Sequence, residues 1–206
     1  MTGVQTCALP IFQSYPTAAA KLEKFERWLA TAGIERGIMG PREVDRMWDR
    51  HIANCAVVEQ LIAENSSVLD VGSGAGLPGL VLAVVRPDLK VGLIEPLQRR
   101  CDFLNEVISD LDLGDQVTVY RGRAQDQPGL SADVVTGRAV APLHKFLNWT
   151  NKLVKPTGQI LAMKGSSAAT EIAEASLQLE GKTAQIVQVG QGIVDPLTTV
   201  VRIKSA

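Results

Sequence analysis

A run of glycines and five charged residues, each at or just past the end of an apolar stretch, carry the chemistry this chain can offer. Asp70 closes the first stretch, and glycines follow at 72, 74, 76 and 79, in the order Asp70-Val71-Gly72-Ser73-Gly74-Ala75-Gly76-Leu77-Pro78-Gly79. Glycine takes positive φ freely and lets the backbone approach a ligand. The helical pattern behind it (Leu80, Val81, Leu82, Val84, Val85) aims free N–H groups and a positive dipole end at whatever the loop holds. Glu95, Arg123, Arg138 and Lys164 punctuate later apolar runs in the same way.

Two ligand readings compete for the loop, beside the plainer one of a glycine-rich turn that holds nothing. Gly74-x-Gly76-x-x-Gly79 fits the dinucleotide fingerprint, with a pyrophosphate on the helix N-terminus. Asp70-x-Gly72-x-Gly74-x-Gly76 instead resembles the first motif of S-adenosylmethionine-dependent methyltransferases. An acid before the first glycine repels a pyrophosphate but suits a cofactor bearing an ammonium and a sulfonium, so the second reading is favoured.

These residues need a scaffold, and the pattern around them supplies one. Residues 90–95, 116–120, 133–136, 158–163, 183–189 and 198–203 read as strands after the central 68–70. Residues 97–111, 143–153 and 168–178 read as helices between them. Strand–helix alternation predicts a parallel sheet with helices on both faces, and the two final strands with no helix between them predict an antiparallel edge. In such sheets ligands bind at the carboxyl ends of the strands, near the topological switch point. That gathers Asp70, Gly72 to Gly76, Glu95, Arg123-Ala124-Gln125, Arg138 and Lys164 into one site. Ahead of the sheet, residues 17–32 read as a helix. A second helix from Pro41 to about Ile62 puts Arg42, Arg46 and Arg50 on one side, either as a solvated face or as a phosphate-contacting stripe.

Composition narrows the classes. A chain of 206 residues, 46% hydrophobic with a net charge of −1, suits one domain with a small appendage, and bulk charge announces no nucleic acid. No apolar run is long enough to span a bilayer. Cys7, Cys55 and Cys101 suggest neither a disulfide framework nor a zinc site, so a cytoplasmic location is expected. Residues 1–12 fit the rest poorly and read as a non-native leader or a frayed terminus. The division expected is leader 1–12, helical extension 13–65 and catalytic domain 66–206.

The strand-end residues then make a specific resemblance. Arg50-His51-Ile52, the block from Asp70 to Gly79, Arg86-Pro87, Arg99 or Arg100 with Phe103-Leu104, Arg123-Ala124, Arg138-Ala139 and Lys164-Gly165 are similar to the glucose-inhibited division protein B family. These are the 16S ribosomal RNA guanine-N7 methyltransferases. The likeness covers roughly residues 15–204 and looks closest to an actinobacterial branch. It implies a class I S-adenosylmethionine-dependent methyltransferase fold, a Rossmann-like α/β architecture with a seven-stranded sheet whose last strand is antiparallel. It implies S-adenosyl-L-methionine as cofactor, held by Asp70, Gly72, Gly74, Gly76, Leu77, Glu95, Ala124, Gln125 and Arg138. Glu95 would accept from the ribose hydroxyls, and Ala124 and Gln125 would meet adenine through backbone groups. The implied partner is 16S ribosomal RNA or the small ribosomal subunit, with a guanine in the 530-region loop as substrate, contacted by Arg50, Arg123 and Lys164. Arg138 and Lys164 are the implied catalytic residues, and a monomer is expected. The chain departs from the family pattern at Gln125, often Glu, at Glu95, often Asp, and at Thr198 and Thr199, where many members carry Arg.

The chemistry fits what the strand ends carry. Gly137-Arg138-Ala139-Val140-Ala141-Pro142 stands where exocyclic-amine methylation uses Asn/Asp-Pro-Pro-aromatic, and no cysteine nucleophile lies at a late strand end. Guanine N7 already has an in-plane lone pair and needs no general base. Positioning is then the main task. Methylation of another RNA atom or of a small molecule, and a non-catalytic nucleotide-binding module, remain the alternatives.

Overall fold

The computed structural model describes residues 3–206, with side chains from residue 8 onward. Seven strands form one sheet: β1 (Ser67–Val71), β2 (Lys90–Glu95), β3 (Val117–Arg121), β4 (Ala132–Arg138), β5 (Val154–Lys164), β6 (Lys182–Val189) and β7 (Thr198–Ser205), in the order β3-β2-β1-β4-β5-β7-β6. The first five pair in parallel, and β7 runs antiparallel between β5 and β6. The order reverses between β1 and β4, so the loops leaving these two strands flank a crevice.

Side-chain alternation along the strands divides the core. Val68, Leu93, Val134 and Leu161 face one layer, packed against α2 (Ala19–Ala30), α5 (Gly79–Val85), α6 (Gln98–Asp110) and the N-terminal segment. Leu69, Ile94, Val135 and Ile160 face the other, against α7 (Leu143–Thr150) and α8 (Ala168–Glu174). Both faces are buried, which is why these strands read as continuous apolar runs.

The N-terminal segment departs from expectation. Instead of one helix from Pro41, the chain makes a 3-10 turn (Pro41–Arg46), a π-helical turn (Met47–Ile52), the short α4 (Ala53–Ala56) and another 3-10 turn (Val57–Leu61), after α3 (Ala32–Glu35). Changes of winding at each junction break the spacing of four, so Arg42, Arg46 and Arg50 do not share one helical face. The π turn buries Met47, Trp48, His51 and Ile52 together.

The described chain begins with a helix. Gly3–Ser14 forms helix α1, which buries Ala8 and Ile11, and Phe12 meets Trp48 edge-on at a centroid distance of 5.0 Å. Apolar residues at 8, 11 and 12 share the face that covers Trp48. Residues 1 and 2 lie outside the described residues. Among the described residues, no helix is long and apolar enough to cross a membrane.

Candidate active site

The glycine loop leaves β1 where the backbone must turn sharply. Gly72, Gly74 and Gly76 all have positive φ, at 70°, 57° and 90°. Asp70 lies on the sheet face that carries α5. Its Oδ2 accepts the Gly79 N–H at 2.9 Å, which ties the strand to the start of that helix. The carboxylate is fully buried, and its Oδ1 has no partner among the described residues. Burial pushes its pKa up to about 7 against the Gly79 N–H, with the nearby Glu95 charge adding to the rise.

Glu95 ends β2 beside the same loop. Its Oε2 accepts the Gly74 N–H at 3.0 Å and its Oε1 accepts the Leu97 N–H at 2.9 Å, while Arg100 Nη1 stands 3.7 Å from Oε2. A carboxylate offers about four lone-pair directions, so acceptor capacity remains on each oxygen. Above it opens a cavity of about 630 Å³ lined by Gly72, Glu95, Arg123, Ala124, Gln125 and Arg138, together with Leu97, Arg100, Val140 and Trp149. A Cβ on Gly72 would lie 2.8 Å from Val140 Cγ1, so glycine is what keeps this wall open.

A second, larger cavity of about 1000 Å³ adjoins it, lined by Arg50, Asn54, Lys164, Gln188, Thr198 and Thr199 among others. Arg138 and Ala139 line both. Ala139 has φ of 53°, a conformation that costs a non-glycine residue on the order of 1 kcal/mol. The strain therefore sits at the junction of the two spaces.

Arg138 and Lys164 point to opposite sides of the sheet. Arg138 pairs in register with Met163, so the next residue of β5, Lys164, projects from the other face. Lys164 contacts Glu171 of α8 at 2.7 Å and donates to the Ala141 carbonyl at 2.7 Å. Burial raises the pKa of Glu171, but hydrogen bonds from Lys164, Ser167 and the Leu143 N–H hold it below the usual value. Arg138 reaches toward the N-terminal segment and donates to His51 Nδ1.

The structure thus brings Gly72, Glu95, Ala124, Gln125, Arg123 and Arg138 to the first cavity, and Arg50, Arg138 and Lys164 to the second. Four expected cofactor residues are not on the cavity wall. Asp70 faces α5, Gly74 donates its N–H to Glu95, Gly76 packs against Leu80 and Leu104, and Leu77 is part of the core. These four shape the loop rather than line the cavity. Leu97, Arg100 and Trp149 were missed as wall residues. Arg100 carried a signal, as a basic residue in the first turn of the helix that follows the β2 acid, and its buried Nε has no partner among the described residues. Trp149 looks in sequence like one more apolar position on α7.

The sheet order, the antiparallel β7, the glycine loop after β1 and the acid closing β2 define a class I methyltransferase. The fold is similar to a methyltransferase from Pyrococcus furiosus, with a TM-score of 0.58 at 14% identity over 74% of this chain and 81% of that one. It is also similar to M. jannaschii TYW2 in complex with AdoMet, with a TM-score of 0.55 at 21% identity over 75% and 74% of the two chains. A family model described as rRNA small subunit methyltransferase G, GidB, matches residues 18–193. Ribosomal RNA small subunit methyltransferase G of Thermobifida fusca is 52% identical over 88% of this chain and 78% of that protein. The protein of that name from Renibacterium salmoninarum is 51% identical over 88% and 86%. The chain belongs to the rRNA small subunit methyltransferase G family.

Proposed function

We propose that this protein transfers a methyl group from S-adenosylmethionine to N7 of a guanine in the 530-region loop of 16S ribosomal RNA, as a monomer in the cytoplasm. The observation that carries the reading is the wall of Arg138 and Ala139 shared by the two cavities at the carboxyl ends of the strands. A ligand in one space meets a ligand in the other there.

The first cavity suits the cofactor by its chemistry. It has a carboxylate with spare acceptor capacity, apolar walls from Leu97, Val140 and Trp149, and a glycine edge that a Cβ would fill. S-adenosylmethionine, when bound, supplies an electrophilic methyl on a sulfonium. Glu95 accepts from the ribose hydroxyls, and the turn at Ala124 and Gln125 presents backbone groups to adenine. Arg138 lies where it can hold the guanine O6, a neighbouring phosphate or the cofactor carboxylate. N7 stays unbonded, because its lone pair is the nucleophile and no proton has to leave it. Arg50 and Arg123 are exposed at the two rims and suit phosphates. Lys164, already paired with Glu171 and bonded to the Ala141 carbonyl, holds residues 139–142 in place at the wall of the second cavity.

The test is nucleoside analysis of small subunits lacking the modification after incubation with the protein and methyl-labelled S-adenosylmethionine. Label is expected in 7-methylguanosine from the 530 region. Label in another nucleoside, or only in a small molecule, would overturn the assignment.

A further inference from the structure

Arg138 is held from outside the sheet. One guanidinium nitrogen, Nη2, donates to Nδ1 of His51 on the π turn, and Nη1 stands 3.4 Å from Cys55 Sγ on α4. On its far side the His51 ring meets Glu43 of the first 3-10 turn, with Nε2 2.6 Å from Oε2. Glu43, His51 and Arg138 therefore form a chain of hydrogen bonds from the N-terminal segment to the end of β4.

The chain assigns the histidine proton. A guanidinium has only donors, so the Nδ1 that meets it must carry a free lone pair. The ring proton then sits on Nε2, facing the Glu43 carboxylate, which accepts it. The surroundings agree. The His51 side chain is 7% exposed, and burial and the Arg138 charge hold its pKa below the usual value, with Glu43 acting against them.

We infer that His51 is a positioning residue for methyl transfer: as the neutral Nε2–H tautomer fixed by Glu43, it aims Arg138 at the wall between the two cavities. A free arginine side chain has many rotamers, and ordering it costs conformational entropy. Here the cost is met during folding, before any ligand arrives. The guanidinium keeps three N–H donors beyond the two directed at His51 and Cys55. The N-terminal segment is then part of the site, although it contributes no strand to the sheet.

The inference rests on the proposed methyl transfer, and the experiment separates the two. The full chain is compared with His51→Leu, His51→Asn, Arg138→Gln and the double variant His51→Leu/Arg138→Gln. Single-turnover transfer to small subunits, calorimetric affinity for S-adenosylhomocysteine and thermal melting are measured for each. His51→Leu is expected to slow transfer roughly ten- to a hundredfold, the equivalent of one hydrogen bond to a charged group. His51→Asn, whose Oδ1 can take the place of Nδ1, is expected to recover most of the rate. In the Arg138→Gln background, loss of His51 should cost no more than about twofold further, the scatter of independent pairs. Additive losses, or an Asn variant as slow as the Leu variant, would overturn the inference. If His51→Leu does not fold, the partly exposed Glu43→Leu tests the same chain. A several-fold loss that vanishes in the Arg138→Gln background supports the inference, and an unchanged rate refutes it. An unsubstituted protein that transfers no methyl would refute the functional reading alone, because the same non-additivity is read in the affinity for S-adenosylhomocysteine.

Discussion

Lys164 and Glu171 form an ion pair of 2.7 Å with both side chains mostly buried, 8% and 16% exposed, and Glu171 in turn accepts the Leu143 N–H that opens α7. The lysine is thus a strut between β5, the loop after β4 and α8. Removing one partner leaves a partly buried charge alone, at a cost of roughly 3 kcal/mol. Lys164→Ala is therefore expected to lower the melting temperature, and Lys164→Met combined with Glu171→Gln to restore most of it. Log affinity for RNA against log salt should keep its slope in that double variant. Arg50→Ala and Arg123→Ala, at exposed rims, should each reduce the slope by about 0.7–1. A slope that drops for the Lys164 pair but not for the arginines would move the phosphate contact back to Lys164.

The glycine loop makes a second expectation. Gly72→Ala puts a Cβ 2.8 Å from Val140 Cγ1 at a φ of 70°, and Gly74→Val forces a β-branched residue to a φ of 57°, displacing the N–H that Glu95 accepts. Either strain is on the order of 1–3 kcal/mol. Calorimetry should show S-adenosylmethionine affinity reduced tenfold or more in both. Gly114→Ala, where nothing lies within 4 Å of the added Cβ, should bind as the unsubstituted chain does. Undiminished binding by folded Gly72 and Gly74 variants would remove the loop from the site.

Asp70 sets a pH dependence. Burial raises its folded pKa to about 7, above the usual value of about 3.9. Below about pH 4 both folded and unfolded chains hold the proton. As pH rises toward 7 the unfolded chain ionises first, so the contribution of this group to stability is full in acid and is lost through that window. Relative to Asp70→Asn, the unsubstituted protein should lose up to about 1.4 kcal/mol per pH unit there, as urea unfolding would read it. The same stability difference between the two proteins at every pH would show that Asp70 does not titrate in that range.

Helix α1 is expected to contribute to stability but not to the site. Deleting residues 1–12 uncovers Trp48 and removes the buried Ile11, whose burial is worth about 1.5–3 kcal/mol before the cost of ordering the helix. Each net kcal/mol lost should lower the melting temperature by about 2–4 °C, and the deletion should shift tryptophan fluorescence to the red. S-adenosylmethionine affinity should hold, because none of the described side chains of α1 lines either cavity. An unchanged melting curve would show that α1 adds nothing to the fold.

Local chemistry decided what the sequence could determine alone. Strand β2 begins and ends where its apolar run does, at Lys90 and Glu95, because alternation and punctuation are properties of neighbouring residues. The positive φ of Gly72, Gly74 and Gly76, the carboxyl-end placement of Glu95 and Arg138, and the antiparallel edge follow from spacing of the same kind. What needed the tertiary structure was direction and partnership. Arg138 and Lys164 both end strands, yet the register of Arg138 with Met163 sends them to opposite faces. Asp70, next to last in β1, and Glu95, last in β2, share a face, yet one meets the start of α5 while the other borders a cavity. His51 is 87 residues from the arginine it meets, and the π turn that brings it there erases the helical spacing on which the sequence reading relied. A side chain's face is set by which strand lies beside it and in what register, and that pairing is settled by burial of the whole sheet.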